Sequence, residues 1–136
     1  QMEIWAAARA ARYASEADLA DLRDAHSLMT SDAAPRPEDK ARADVAFHMA
    51  IAKASHSVVY RHLLSVVRET LVEMLHYHRT ELFGTPTDDQ TVMDQHAAIV
   101  TAIESRDPAR AQAAMRTHME WTREHYDKAG QRTQRA

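Results

Sequence analysis

The sequence contains no cysteine, which removes disulfides and thiolate metal sites and leaves nitrogen and oxygen as the only ligands for a metal. Two glycines and four prolines in 136 residues are too few for the many tight turns of a β-sandwich or barrel. With 45% hydrophobic and 27% charged residues, the chain is not composed like a disordered one. The expected fold class is all-α, with one core. No run of about 18 apolar residues occurs, and the N-terminus lacks the basic-then-apolar order of a signal peptide. A cytoplasmic domain with no membrane partner is expected. Positive charge is not in excess either: 17 Lys and Arg against 20 Asp and Glu give a formal net charge of −3, without a basic stripe. That argues against autonomous nucleic-acid binding.

What is present is helical punctuation. The opening QMEIWAAARAARYA is periodic from its first residue with no cap before it, so the chain is expected to be cut from something longer; its alanines suit close packing. Ser15 with Asp18 makes a capping-box start for EADLADLRDAHSLMT. SDAAPRP breaks the chain, and Pro37, followed by Glu38 and Asp39, opens a third helix that ends near Ala54. Ser57 caps a long fourth helix that is stopped by Gly84 and Pro86. Thr87 and Gln90 form another capping box before the fifth. Asp107 and Pro108 start the last helix, which is expected to end near Lys128 with Gly130 beyond it. The domain therefore reads as residues 1–129, with 130–136 a frayed tail.

Positions i, i+3, i+4 and i+7 share a helix face, so each histidine can be sorted by its neighbours. His96 sits with Val92, Ile99, Val100 and Ile103, and His118 with Ala111, Ala114, Met115 and Trp121. His48 lies with Ala41, Asp44, Ile51 and Ala52. Three helices thus aim ionisable groups at the interior. A buried carboxylate without compensation costs several kcal/mol, so Asp44 needs a cation, a proton or a dense hydrogen-bond shell. A divalent metal would satisfy all four groups, and imidazoles with a carboxylate suit zinc, nickel, manganese, iron or cobalt. An Asp44–His48 ion pair inside a buried polar network satisfies them without a metal, as part of a helical dimerisation module.

The other polar candidates carry less. His26, His56, His62, His76, His78 and His125 read as surface or structural, and Met74, Met93, Met115 and Met119 as core. Arg79 and Arg68 lie on the long helix, from which a guanidinium can reach a carboxylate in a cavity. A metallohydrolase is the rival enzymatic reading, but it lacks a base. No inward glutamate accompanies the ligands, and Glu69 and Glu73 are remote candidates.

DVAFHMAIAKASHSVV and QHAAIVTAIESRDPARAQAAMRTHM resemble the ligand-sensing C-terminal (FCD) domain of FadR-type regulators in the GntR family of bacterial transcription factors. The resemblance runs from MEIWAAARAA to about Tyr126. It implies an antiparallel bundle of six to seven helices around a central metal and effector cavity, and a sensor rather than an enzyme. The family's one Asp and three His ligands fall on Asp44, His48, His96 and His118, with zinc or nickel as the usual metal. The implied partners are a small carboxylate effector such as lactate, glycolate, citrate or a sugar acid, and a second copy in a homodimer. Operator DNA would be met only through an N-terminal winged helix-turn-helix absent from this chain. ASHSVV and Arg79 are most similar to the lactate- and glycolate-responsive branch, although Ser57 stands where that branch has Asn. The family's first helix often begins with a cavity-facing arginine, in a turn that would precede Gln1.

Overall fold

The computed structural model describes residues 1–30, 36–82 and 85–135, and every regular element among them is helical. The all-α expectation is met by seven α-helices: α1 (Met2–Tyr13), α2 (Glu16–Thr30), α3 (Pro37–Ala54), α4 (Val58–Val66), α5 (Arg68–Tyr77), α6 (Pro86–Glu104) and α7 (Pro108–Arg135). A π-helical turn, His78–Leu82, closes α5. No helix of the described residues is long and apolar enough to cross a membrane.

Local chemistry sets most of these boundaries. Asp18 N donates to Ser15 Oγ at 3.1 Å while Ser15 N and Oγ both donate to Asp18 Oδ2 at 2.9 Å, so the first capping box is closed in both directions. Ser57 Oγ accepts from Tyr60 N, and Asp107 Oδ1 from Arg110 N. Three expectations are corrected. The long fourth helix divides at Val67, whose φ of −92° and ψ of 2° lie in the bridge region, and no Gly or Pro marks the division. The cap of α6 is Thr85, whose Oγ1 accepts from Asp88 N at 3.1 Å, with Pro86 as first helical residue; Gln90 instead bonds Asp94. Finally, α7 continues to Arg135, so Gly130 lies inside it. The expected break at residues 31–35 and the stop at Gly84 lie outside the described residues.

Helix α3 is central, packing against α1, α2, α4 and α5, while α7 packs along α1 and α6. Ala6, Ala7, Ala10 and Ala11 are fully buried, which lets α1 lie close to both α3 and α7. Phe47 and Ile51 of α3, Ile99 and Ile103 of α6, and Met115 of α7 fill the centre of the core. At about 25 cal/mol per Å² of apolar surface, each of these side chains contributes roughly 1.5–3 kcal/mol of burial free energy. Among the described residues, two adopt left-handed backbone, His56 (φ 54°) after α3 and Arg106 (φ 56°) after α6. Each pins the α1–α2 corner. His56 Nε2 meets Asp18 Oδ2 at 2.7 Å, and Arg106 donates to the Ala14 carbonyl and to Glu16.

Candidate metal centre and its cavity

The structure brings Asp44, His48, His96 and His118 together. His48 Nε2 stands 3.4 Å from Asp44 Oδ1, His96 Nε2 stands 3.7 Å from the same oxygen, and the Nε2 atoms of His96 and His118 are 3.2 Å apart. The three histidines present ligand atoms within 4.8 Å of one another and could hold a metal ion. Donors held at about 2.0–2.1 Å from one ion stand about 3–3.5 Å apart, close to the spacing observed. His96 is fully buried, His118 and Asp44 are each 5% exposed, and His48 is slightly more open.

The outward nitrogens decide how the inward ones are used. Glu3 Oε2 lies 3.2 Å from His48 Nδ1, and Gln95 Oε1 lies 2.9 Å from His118 Nδ1. An acceptor at Nδ1 calls for a proton there and, in the neutral ring, leaves the Nε2 lone pair facing the cluster. His48 has a carboxylate at each nitrogen. It must therefore be doubly protonated or face a cation through Nε2. Burial alone would lower its pKa, yet Glu3 and Asp44 push it up to about 10. Burial drives His96 down to about 3, which Asp44 only partly opposes, and drives His118 down to about 4 with help from His48. Burial opposes the charge on Asp44, but His96, His48 and Arg79 hold its carboxyl far below the usual range. His96 Nδ1 is buried with no hydrogen-bond partner among the described residues. Two neutral imidazoles and an ionised carboxylate converging at one point fit a divalent cation with nitrogen and oxygen ligands.

Arg79 reaches the same place from the π-helical turn. Its Nη2 donates to Asp44 Oδ2 at 3.0 Å and its Nη1 to Asp89 at 3.3 Å, with the side chain 20% exposed. Arg68 is not brought there. Its side chain is 52% exposed, 3.9 Å from Glu69, on the outside of α5, so the expectation that it reaches the cavity is corrected. A cavity of about 180 Å³ adjoins the cluster. Asp44, His48, His118 and Arg79 form its polar end, Leu64, Leu71, Met74, Leu75, Val92 and Met119 its apolar wall, and Asp88 and Asp89 also line it. His78, expected at the surface or in a structural role, lines it too, edge-on to Tyr126 at 4.1 Å. Tyr126 is pushed up to about 12 by burial and then by Asp44.

An FCD domain model matches residues 1–120. The chain belongs to the FCD family. Among relatives of this FCD domain, the HTH-type transcriptional regulator LutR of Bacillus subtilis (strain 168) is 36% identical over 119 residues, which is 87% of this chain and 54% of LutR. A protein of Escherichia coli (strain K12), provisionally named an L-lactate dehydrogenase operon regulatory protein, is 31% identical over 83 residues, 61% of this chain and 32% of its own length. Its Shigella flexneri counterpart matches with the same figures. This FCD domain thus spans about half of LutR and about a third of the other two. The names of the Escherichia coli and Shigella flexneri relatives refer to an L-lactate dehydrogenase operon.

Two residues of the FCD domain's site were missed by sequence reasoning. Glu3 is an inward glutamate where none was expected; burial opposes its charge, but His48, Tyr60 and His118 together hold its carboxyl below the ordinary value. The signal was available, since Glu3 shares a face with Ala6, Ala7 and Ala10. Gln95 had no such signal. Its place beside His118 depends on how α6 and α7 cross.

Proposed function

We propose that this chain is the effector-sensing domain of a transcriptional regulator, in which Asp44, His48, His96 and His118 hold one divalent metal, zinc or nickel, beside a small monocarboxylate. The observation that carries the reading is the convergence of Asp44 Oδ1 and three histidine nitrogens in the core, with acceptors behind His48 and His118. The bound ion would supply a Lewis-acid position for the effector's carboxylate. Glu3, Asp44, Asp88 and Asp89 line the cavity against a single arginine among the described residues, Arg79, so an anion meets an unfavourable field until a cation is bound. Arg79 orients that carboxylate at the cost of loosening its hold on Asp89, and the leucine and methionine wall covers the apolar end of the effector. A volume of about 180 Å³ falls below the roughly 300–1,000 Å³ of sites for drug-sized ligands. It favours lactate or glycolate over citrate and sugar acids. Lactate also agrees with the names of the Escherichia coli and Shigella flexneri relatives.

In the complete regulator, a cytoplasmic homodimer, operator DNA is met through a separate winged helix-turn-helix. Effector binding then acts by its difference in affinity between two arrangements of the helices. Metal analysis of protein purified without an affinity tag should give one divalent ion per chain, and His96→Ala with His118→Ala should remove it. Calorimetric titration with lactate and glycolate should give binding to loaded protein and none after chelation. Unchanged metal content in the double variant defeats the reading, and turnover of either acid would point to an enzyme instead.

A further inference from the structure

Glu3 has no place among the ligands, yet it lines the cavity with a side chain only 17% exposed. Its Oε2 faces the nitrogen of His48 that points away from the cluster, at 3.2 Å, while the other nitrogen faces Asp44. The imidazole thus stands between Glu3 and the point where the four ligands converge. Gln95 stands in the same relation to His118 at 2.9 Å, and His96 Nδ1 has no hydrogen-bond partner among the described residues. The three rings are therefore backed differently: one by a carboxylate, one by an amide oxygen, one by nothing. A carboxylate behind Nδ1–H fixes the tautomer and ring angle and increases electron donation from Nε2. Glu3 also belongs to the first turn of α1, so the bond ties that turn to α3, 45 residues away.

We propose that Glu3 is a positioning residue for the metal: it holds His48 with a proton on Nδ1 and its Nε2 turned to the ion, and so links occupancy of the centre to the first turn of α1. This rests on the metal reading above. The test uses Co²⁺ as probe, with affinity read by competition against a chromophoric chelator and ligand geometry by the visible d–d spectrum. Glu3→Ala is expected to weaken Co²⁺ binding about 10- to 100-fold and to change the spectrum. Glu3→Gln, which still offers an oxygen to Nδ1–H but no charge, is expected to recover part of that loss while still binding more than about twofold more weakly than the parent, and so it covers the case in which Glu3→Ala fails to fold. Hydrogen exchange gives a readout that a merely structural role would leave alone. Co²⁺ should slow the amides of residues 5–8 in the parent chain and leave them unchanged in Glu3→Ala or, should that variant not fold, slow them less in Glu3→Gln. If both variants bind Co²⁺ within about twofold of the parent while His48→Ala does not bind, the role of Glu3 is wrong and the metal centre stands. If His48→Ala and His96→Ala also bind as the parent does, the metal centre itself is wrong.

Discussion

Asp18 is 6% exposed and still ionised. Burial raises its pKa, but the Ser15 backbone, His56 and the Ser15 hydroxyl together hold the carboxyl below its ordinary value of 3.8. The folded pKa is lower than the unfolded one, so the stabilisation is fully present above about pH 4 and is lost as pH falls through the folded value. Asp18→Ala should cost about 1–2 kcal/mol at neutral pH, the usual size for a capping and buried hydrogen-bonding group. Urea unfolding at pH 7, 5 and 3 should show the gap between parent and variant closing at the acid end. A gap that is constant across that range would mean that the charge of Asp18 does not contribute. Arg79 poses the opposite question, because its partner Asp44 is the more buried of the two, at 7% against 20% side-chain exposure. Arg79→Ala without metal should destabilise the fold by about 3 kcal/mol, since a buried carboxylate loses its guanidinium. Metal should reduce that loss by taking over Asp44. Arg79→Lys should rescue only part, because a point charge cannot fork to Asp44 and Asp89 together. Denaturation with chelator and with Zn²⁺ separates these outcomes.

At the scale of elements, α1 depends on smallness. Ala6, Ala7, Ala10 and Ala11 are all at 0% exposure beneath α3 and α7. Ala10→Leu should overpack that contact and cost about 1–3 kcal/mol, seen as a lower thermal midpoint with helicity kept in the folded baseline. Elements of this kind were legible in the sequence wherever a residue's own chemistry decides: Ser15 with Asp18, Pro37, Ser57 and Asp107 all start helices where their side chains require it. The start of α6 was misplaced because two threonines, Thr85 and Thr87, each have a partner three residues on. Pro86, which suits the first position of a helix, decides between them. The division at Val67 and the π-helical turn were not legible. Nothing in the local sequence breaks the helix there, and the turn of the chain brings Arg79 to Asp44, a contact between distant residues. The inward faces of His48, His96 and His118 could be read because each includes at least one large apolar neighbour, Ile51, Ile99 and Met115 among them. Glu3 was hidden because alanine marks a buried face only weakly.

At the scale of the whole molecule, the four candidate ligands sit on α3, α6 and α7, between residues 44 and 118. An ion shared among them would join helices that are far apart in the chain and already packed around one core. The unfolded chain has no such convergence, so binding adds directly to folding stability. With free ion a hundredfold above its Kd, the gain is about 2.7 kcal/mol. For a chain of this size, about 3–4 °C per kcal/mol implies a rise of about 10 °C in Tm. Scanning calorimetry of metal-loaded and chelated protein should show that difference, and it should grow with the logarithm of ion concentration. In His96→Ala with His118→Ala the two scans should coincide. A rise of the same size in that variant would place the stabilising ion elsewhere, because two of the three helices would then have lost their contribution to the cluster.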